Sequence, residues 1–436
     1  MRINLQSLGC RLNEAELESW AREFQAAGHR LVSETGDADL IVLNSCAVTA
    51  EAVRKSRQMI RRTQRLSPRA RLVLSGCYAT LHGDEAAALG VDLVVSNADK
   101  SRLVEIAARE LALEAMPEFS TEPGETALFA LGRQRAFVKV QDGCRYRCTF
   151  CIVTVARGEE RSRPPAEVIR EIRRLQAEGV QEVVLTGVHL GGYGSDLGLP
   201  LDALIRSILQ ETEIPRLRLG SLEPWDLPPG FFDLFENPRF MPHLHLPLQS
   251  GSDTVLKRMA RRCKSEEFAR LADHARRQVP DINITTDIIV GFPGETEREW
   301  EESLQFIETI GFGDIHVFTY SVREGTKAAA MGGHVPAEIK KERSRVLHEL
   351  ALGQKRALLG RFVGREMPVL WENRRDGADR GYTPNYLRVA IQTPETGLTN
   401  RITPVRLVKV DASGEFLWCG PVTLPPAAPA DTRWRR

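Results

Sequence analysis

Six short apolar runs alternate with amphipathic segments between residues 135 and 320, and this alternation restricts the possible folds more than any other feature. Consecutive parallel strands need a crossover helix, so a repeated strand-then-helix pattern predicts a parallel sheet. Six such units predict an incomplete TIM-like barrel, in which the loops after the strands carry the chemistry. The runs read AFVKVQ, EVVLTGV, RLRLGS, HLHLPLQS, INITTDIIV and HVFTYS, with helical periodicity at residues 165–178 and 296–311 among the intervening segments.

A second α/β pattern occupies residues 1–118. The runs RINLQSLG, DLIVLNS, RLVLSG and VDLVVS are bounded by Gly, Asn or Ser, and residues 13–27 and 50–66 have helical patterns, which together predict a parallel sheet. Cys10, Cys46 and Cys77 directly follow the first three runs, where parallel strands share one edge. Neighbouring strands lie about 4.8 Å apart, so the three thiols can converge on a metal, although each alone could be an ordinary buried thiol.

Three more cysteines lie in the loop after the first strand of the central region, in the stretch DGCRYRCTFC. Structural zinc needs four protein ligands, commonly as two CxxC pairs, and no second pair lies near Cys144, Cys148 and Cys151. A 4Fe-4S cluster held by three thiolates leaves one iron open to a small molecule that carries an amine and a carboxylate. The spacing favours the iron–sulfur cluster, with zinc as the alternative.

Length and composition set broader limits. A chain of 436 residues, 42% of them hydrophobic, predicts two or three domains, and its net charge of +1 makes only local charge clusters informative. No signal peptide and no apolar run of about 18 residues is evident, so we expect a soluble cytoplasmic protein with no membrane partner. In that reducing compartment, eight cysteines indicate metal or redox sites rather than disulfides.

The remaining segments complete the predicted domain organisation. Residues 119–134 have the composition of a linker, and residues 135–360 form the central barrel with a connecting helix at 336–360. Residues 361–424 predict a small antiparallel β-barrel, followed by a disordered tail at 425–436. Small barrels often bind nucleic acid, and six side chains here could supply stacking and phosphate contacts, unless the aromatic ones are core residues. These are Trp371, Arg374, Arg375, Tyr382, Tyr386 and Arg388.

One charge cluster indicates contact with a polyanion. Residues 54–71 hold eight basic residues and no acidic one. Four arginines recur on one helical face: Arg54, Arg57, Arg61 and Arg65. Most charge runs are solvated surfaces, but an unbalanced run beside a predicted metal site favours phosphate contact.

The cysteine loop and several further motifs resemble known families. Cys144, Cys148, Phe150 and Cys151 match the CxxxCxΦC motif of the radical S-adenosylmethionine (SAM) superfamily, in which Φ is aromatic. Nearly the whole chain resembles the methylthiotransferase family, which joins a three-cysteine domain, a radical SAM barrel and a TRAM domain. The motifs that carry this resemblance are LGCRLNEAE, NSCAVT, SGCYA, DGCRYRCTFCI, ARGEERSR, LQSGSD and REGTKAA.

The resemblance implies a cofactor set and a reaction. Cys144, Cys148 and Cys151 would hold the 4Fe-4S cluster that cleaves SAM, and Cys10, Cys46 and Cys77 would hold a second 4Fe-4S cluster that binds the sulfur to be inserted. One SAM would donate the methyl group and another would supply the 5′-deoxyadenosyl radical, so that a methylthio group replaces a carbon-bound hydrogen. A flavodoxin- or ferredoxin-like electron donor and a sulfur donor are implied partners.

Within that family, LGCRLN, TGVHLGGYG and GYTPNYLRV look most like the branch that acts on N6-threonylcarbamoyladenosine at position 37, in the tRNA anticodon loop. Sibling branches act on isopentenyladenosine in tRNA or on a ribosomal-protein aspartate. A base in a loop costs less to present than one in a duplex, which favours an RNA target. A non-enzymatic zinc protein that binds RNA is the alternative from another class.

Residues at the ends of the barrel strands are candidates for binding SAM. Gly187 would let the backbone approach the cofactor, and Glu223 would accept hydrogen bonds from a ribose or an ammonium group. Phe150, Ser221 and Gln249 are further candidates, although Glu223 could instead cap a helix and Gln249 could satisfy loop backbone.

Other residues are assigned no cofactor role by the sequence. His243 and His245 alternate with leucines, so we expect at most one of them to face the cavity and ordinary packing for both. Thr154 and Cys263 depart from the family pattern, and Cys263 and Cys419 are interpreted as structural.

Overall fold

The computed structural model describes residues 1–113, 134–392 and 397–421. The linker predicted at 119–134, apart from Gln134, and the tail predicted at 425–436 lie outside the described residues. The predicted α/β class, with a parallel amino-terminal sheet, a central barrel and a small closed β-barrel, is confirmed.

The amino-terminal region is a five-stranded parallel sheet in the order β2-β1-β3-β4-β5. Helices cover both faces and separate the buried apolar side chains into two cores. The strands are Arg2–Ser7 (β1), Arg30–Leu31 (β2), Leu40–Ser45 (β3), Arg71–Gly76 (β4) and Leu93–Val95 (β5), and the helices are Arg11–Ala26 (α1), Ala50–Leu66 (α2), Cys77–Leu81 (α3), Gly83–Ala88 (α4) and Leu103–Glu110 (α5).

Six parallel strands build the central region in sequential order. Strands β6, β9 and β10 form one sheet and β11, β12 and β13 form another. Isolated bridges between Leu217 and Phe240 and between Ser221 and His245 join the two, so the strands curve into a partial barrel with β6 and β13 as its edges. The six strands are Arg135–Lys139 (β6), Glu182–Thr186 (β9), Arg216–Leu219 (β10), His243–His245 (β11), Asn283–Val290 (β12) and Asp314–Thr319 (β13). Two further short strands between β6 and β9 are Gln141–Asp142 (β7) and Arg161–Ser162 (β8).

Helices pack on the outer face of this barrel. Alternate residues of the strands, such as Leu244, Ile284 and Ile315, join the helices in one large core, which leaves the other set to face the lumen. The helices are Val153–Arg157 (α6), Pro165–Ala177 (α7), Leu201–Glu211 (α8), Asp253–Arg258 (α9), Ser265–Gln278 (α10), Glu297–Ile310 (α11) and Ala337–Gly360 (α12).

Helix α1 of the first region covers part of the open side of the barrel. Ala15 packs against Phe137 and Val184, which are lumen-facing residues of β6 and β9. The buried carboxylate of Glu18 accepts a hydrogen bond from the Phe137 N–H at 3.1 Å. Because β6 is an edge strand, this carboxylate satisfies a backbone donor that would otherwise lack a partner away from water.

The carboxyl-terminal region is a closed five-stranded barrel in the order β14-β15-β16-β18-β17. Its pairs are antiparallel, as expected of the predicted small barrel, except β16 with β18, which is parallel. The strands are Glu366–Arg375 (β14), Ala378–Tyr382 (β15), Arg388–Ile391 (β16), Ile402–Val410 (β17) and Leu417–Cys419 (β18).

This small barrel closes the amino-terminal end of the central lumen. Tyr382 and Tyr386 stack at 4.6 Å between ring centroids, and the guanidinium groups of Arg135 and Arg218 each lie 4.7 Å from one of these rings. Trp371 is fully buried in the small barrel. The hypothesis that these three aromatic residues stack on nucleic acid is therefore wrong, because they belong to a core and a domain interface.

A buried ionic cluster lies in the central lumen next to the small barrel. Glu182 is fully buried, and its carboxylate accepts hydrogen bonds from the Arg218 guanidinium at 2.9 and 3.3 Å. Arg216 and Arg135 lie 3.7 and 3.9 Å from the same carboxylate. Burial alone would raise the pKa of Glu182, but the three cations lower it to about 2.

None of the helices in the described parts of the chain combines the length and the apolar character that crossing a membrane requires.

We predict that Glu182→Gln lowers the free energy of unfolding by about 3–5 kcal/mol, because it leaves buried arginine charge without its partner. Urea unfolding followed by circular dichroism measures the change. Glu349→Gln, which breaks an exposed i,i+4 pair with Arg345, is the control and should cost below about 0.5 kcal/mol. Equal effects of the two substitutions would contradict the importance of the buried cluster.

Candidate functional site

The structure brings Cys10, Cys46 and Cys77 together at the carboxyl edge of the first sheet. Cys10 precedes α1 and is exposed, whereas Cys46 and Cys77 are each 3% exposed. Burial, with a smaller contribution from the neighbouring Cys77 and Cys10, raises the pKa of the Cys46 thiol to about 11. The three thiols therefore lie close enough to act on one another electrostatically, as a shared ligand site requires.

Local contacts fix the positions of these cysteines. Gly9 has φ +116°, and a Cβ on it would lie 2.8 Å from the Cys46 Sγ, so only glycine fits there. The Ser56 hydroxyl of α2 accepts from the Cys46 N–H at 3.2 Å and donates to the Cys46 carbonyl at 2.8 Å. The Asn97 amide donates to the Cys77 Sγ at 3.7 Å and to the Ala156 carbonyl of the central region at 2.8 Å.

The second three-cysteine group lies in the loop that follows β6 and β7. Cys144, Cys148 and Cys151 are all partly buried, and the Cys151 N–H donates to the Cys148 carbonyl at 3.1 Å. Burial raises the pKa of Cys144 to about 11 and that of Cys151 to about 12. Cysteine binds metal as the thiolate, the ligand that holds iron–sulfur clusters, so metal binding at these positions would release their protons.

Arg157 connects the two groups. It ends α6, which follows Cys151, and its side chain is 2% exposed. Its guanidinium donates to the Asn13 side-chain oxygen at 2.8 Å, to Glu16 at 3.1 Å and to Asp142 at 3.1 Å. Asn13 and Glu16 lie on α1, which begins next to Cys10, so one buried cation links the loops that carry both cysteine groups.

A carboxylate–histidine–carboxylate group supports the central cysteine loop. His189 lies between Glu160 and Asp226, with Nε2 2.5 Å from the Asp226 carboxylate. The Tyr146 hydroxyl donates to Asp226 at 2.8 Å, and the Tyr146 ring packs 4.5 Å from the imidazole. Burial lowers the pKa of His189, but the bonds to Asp226 and Glu160 outweigh it and raise the pKa above its usual value.

Two family profiles match this chain. The Radical SAM superfamily matches residues 138–307, and the uncharacterized protein family UPF0004 matches residues 2–96. These ranges contain the central and the amino-terminal cysteine groups, respectively.

Relatives of known name match over most of the chain. Threonylcarbamoyladenosine tRNA methylthiotransferase MtaB of Thermotoga maritima is 38% identical over 85% of this chain and 86% of its own length. The chain belongs to the radical SAM methylthiotransferase family. MtaB of Bacillus subtilis is 34% identical over 93% and 94%, and tRNA-2-methylthio-N(6)-dimethylallyladenosine synthase of Cereibacter sphaeroides is 35% identical over 85% and 87%.

A solved structure shares the fold of this methylthiotransferase. The radical SAM methyltransferase TsrM from Kitasatospora setae, solved with cobalamin and a 4Fe-4S cluster, aligns with a TM-score of 0.55 at 15% identity. The alignment covers 75% of this chain and 74% of TsrM. The family is one that uses SAM and a 4Fe-4S cluster.

The predicted SAM-binding residues of the methylthiotransferase lie around the end of the lumen that is formed by the carboxyl ends of the strands. Phe150 packs beside the cluster of Met259, Phe292 and Tyr320. Gly187 follows β9, where a Cβ would meet the Gln141 side-chain oxygen at 2.9 Å. Close packing by Gln141 thus explains the glycine without reference to a cofactor.

Ser221 and Glu223 lie two and four residues after β10, and Gln249 lies four residues after β11. The Glu223 carboxylate accepts from the Arg261 guanidinium at 2.6 and 3.1 Å, and Arg261 also lies 3.9 Å from the Cys148 Sγ. Ser221 is exposed, and Gln249 is 9% exposed with φ +77°, an uncommon conformation for a residue other than glycine. Strain of this kind occurs more often at functional positions.

The expectation for His243 and His245 is wrong. Residues two apart on a strand point to the same face, and both imidazoles hydrogen-bond to the Thr285 hydroxyl, at 3.1 and 2.9 Å. Both therefore face the lumen. His243 is buried beside Tyr386, and burial holds its pKa well below the usual value.

The basic face of α2 is largely exposed. Arg54, Arg61 and Arg65 are exposed, whereas Arg57 donates to Glu85 at 2.8 Å and to the Tyr78 hydroxyl at 3.4 Å. Exposed Val48, next to Cys46, and Val322, next to β13, lie near the amino-terminal end of this helix, where the Ala50 N–H donates to Ser321 at 3.2 Å.

Sequence reasoning missed several residues of this site. Arg157 lies in the motif ARGEERSR, where it resembles a solvated charge, and His189 lies in TGVHLGGYG. Asn97 and Arg261 lie in none of the sequence motifs that resemble the family. Arg323 is the first residue of the motif REGTKAA, but the motif does not indicate its contact. Their partners lie far away in sequence, so no local pattern identifies them.

We predict that Arg157→Met lowers the free energy of unfolding by about 3–5 kcal/mol, because Glu16 and Asp142 lose a buried partner. Urea unfolding of the metal-free protein measures this change. Arg174→Met on the exposed side of α7 is the control and should change it by about 0.5 kcal/mol at most. An Arg157 effect as small as that of the control would show that the bridge contributes nothing.

We also predict that His189→Gln lowers the melting temperature more at pH 6 than at pH 9. The raised pKa of His189 means that its stabilising contribution is complete below the unfolded-state pKa, about 6.5, and is lost as pH rises through the folded-state value. Thermal melts across this pH range test it, with His348→Gln on exposed α12 as the control. A pH-independent difference would contradict the charged state of His189.

Proposed function

We propose that this methylthiotransferase converts N6-threonylcarbamoyladenosine at position 37 of tRNA to its 2-methylthio derivative. The observation that carries the proposal is the presence of two three-cysteine groups, whose loops Arg157 joins, in a chain similar to MtaB over most of its length. One group serves the radical step and the other serves sulfur delivery. We also propose that the domains of the chain are bounded at residues 118, 134, 360 and 424.

Each cysteine group is assigned one 4Fe-4S cluster. Cys144, Cys148 and Cys151 would hold the cluster that binds SAM, and Cys10, Cys46 and Cys77 would hold the second. When bound, the first cluster and SAM would supply the electron and the 5′-deoxyadenosyl radical that removes a hydrogen atom. The second cluster would supply the sulfur of the methylthio group that replaces it.

The chain's own residues bind and orient the reactants. Gly187, Ser221 and Gln249 line the strand ends where SAM would bind, beside Phe150. Glu223 is positioned by Arg261 and can still accept from a ribose hydroxyl, because a carboxylate has about four acceptor positions. The half-buried thiols of the central loop and the apolar cluster behind Phe150 exclude water from the space between them.

An RNA substrate fits the surface beside the sites. The exposed arginines of α2 begin within one turn of the Cys46 loop, so an anticodon loop whose phosphates meet α2 would bring its bases to the cysteine groups. Arg323 donates to the Ala47 carbonyl and holds the loop after β13 against the Cys46 loop. Exposed Val48 and Val322 offer apolar contacts for unstacked bases.

Two partners complete the proposal. The radical reaction consumes an electron, for which we propose a flavodoxin- or ferredoxin-like donor, and the inserted sulfur requires a sulfur donor.

A second candidate substrate is dimethylallyladenosine in tRNA. Synthases that form its 2-methylthio derivative are 34–35% identical to this chain, nearly as similar as MtaB relatives. Both substrates would share the radical step, and they differ in the substituent on N6.

We predict that a strain lacking this gene loses 2-methylthio-N6-threonylcarbamoyladenosine from its tRNA and accumulates the precursor. Nucleoside mass spectrometry, with the restored strain as control, measures both species. Restoration with Cys148→Ala should fail, and the purified variant should form no 5′-deoxyadenosine while it keeps the visible absorption of the second cluster. Loss of the dimethylallyl product instead would assign the sibling substrate, and a colourless wild-type protein under anaerobic conditions would indicate zinc.

A further inference from the structure

Half of the central lumen is open to a substrate. Helix α1 covers the lumen faces of β6 and β9, where Ala15 packs against Phe137 and Val184. Across the lumen, the β13 side chains remain accessible, because His316 is 60% exposed and Phe318 is 42% exposed. The open half therefore lies between α1 and strands β11 to β13.

A hydrogen-bonded polar group forms the wall of this open half. His316 Nδ1 hydrogen-bonds to the Asp287 carboxylate at 3.1 Å, and His245 Nε2 lies 3.1 Å from the same oxygen. The three side chains come from three successive strands. Thr285 holds the other nitrogen of His245 at 2.9 Å. Asp287 thus orients His316 so that its Nε2 is left to face the cavity. The bond to Asp287 raises the pKa of His316, which favours its cationic form.

A second cation reaches the same cavity from the amino-terminal region. Arg11 directly follows Cys10, and its guanidinium lies 5.1 Å from the centre of the Phe137 ring. Its side chain is 58% exposed, and its Nη1 donates to Glu14 at 2.9 Å, which engages one corner of the guanidinium. Arg11 packs on Phe137 of edge strand β6 and His316 lies on edge strand β13, so the two cations flank the opening between these strands. The charge of Arg11 lowers the pKa of His316, but by less than the bond to Asp287 raises it.

The geometry of adenine makes this position informative. Carbon 2, nitrogen 1 and the N6 substituent occupy the same edge of the base. A receptor for the substituent must therefore lie beside the place where sulfur reaches carbon 2. Arg11 satisfies this condition, because it is the residue next to Cys10 of the amino-terminal group.

We propose that Arg11 and His316 bind the carboxylate of the threonylcarbamoyl substituent, an inference that rests on the proposed function. A carboxylate accepts charge-assisted hydrogen bonds from guanidinium and imidazolium groups, which are roughly twice as strong as neutral ones. A dimethylallyl group is neutral and apolar, and it would desolvate both cations without replacing their bonds to water. The pair therefore selects for the anionic substituent.

Binding to two synthetic anticodon stem-loops tests the proposal. One carries threonylcarbamoyladenosine and the other carries its threonine methyl ester, which removes the negative charge and keeps the size nearly constant. Fluorescence anisotropy with the reconstituted enzyme should show that the wild type binds the acid about 10-fold or more tightly than the ester. Arg11→Gln and His316→Gln should each lose most of that preference through weaker binding of the acid, with ester binding unchanged.

Two controls separate the possible failures. Arg109→Gln on the exposed surface of α5 should keep the full preference, and thermal melts establish that every variant is folded. Equal binding of acid and ester by the wild type, or an unchanged preference in both variants, would overturn the proposal. If the wild type binds but does not methylthiolate the threonylcarbamoyl stem-loop, the proposed function fails instead.

Discussion

The buried guanidinium of Arg157 is the contact on which the relation between the two cysteine groups depends. A charge removed from water is tolerated only when partners surround it, and Arg157 has Asn13, Glu16 and Asp142 within 3.1 Å. Lys100 and Lys139 balance the same carboxylates. Such a network adds little net stability compared with an apolar core, but it tolerates few alternative arrangements, so it defines how α1 sits against the central loop.

The same principle recurs around the opening between the two regions. Glu18 satisfies the edge of β6, Asn97 joins Cys77 to the helix after Cys151, and Arg323 holds the loop after β13 against Ala47. Each contact joins a polar group of one region to backbone of the other. The proposed reaction would need the two cysteine groups at a constant separation, and directional hydrogen bonds maintain a separation better than apolar packing, which permits sliding.

Much of the architecture could be predicted because it follows from local periodicity. Helix α2 spans residues 50–66 as predicted, and all six barrel strands fall on the predicted runs. The position of Cys10, Cys46 and Cys77 after three strands predicted the first cysteine group, and the spacing of Cys144, Cys148 and Cys151 predicted the second. Burial of charge was not predictable, because the carboxylates of Glu16 and Glu223, which pair with Arg157 and Arg261, lie more than 30 residues away in sequence. The aromatic residues Tyr382 and Tyr386 were ambiguous for the same reason, since a neighbouring domain decides whether they are exposed.

Because the small barrel closes the amino-terminal end of the central lumen, the order of synthesis affects how the central barrel is completed. Tyr386 and the Asn385 carbonyl, which accepts from Asn283 at 3.0 Å, belong to a region that follows the central barrel in the chain and is synthesised after it. Until that region emerges and folds, Arg135, Glu182 and Arg218 at the base of the barrel remain open to water. The base of the central barrel is therefore closed only after the small barrel has folded, and a chain that lacks the small barrel would expose the buried ionic cluster to water.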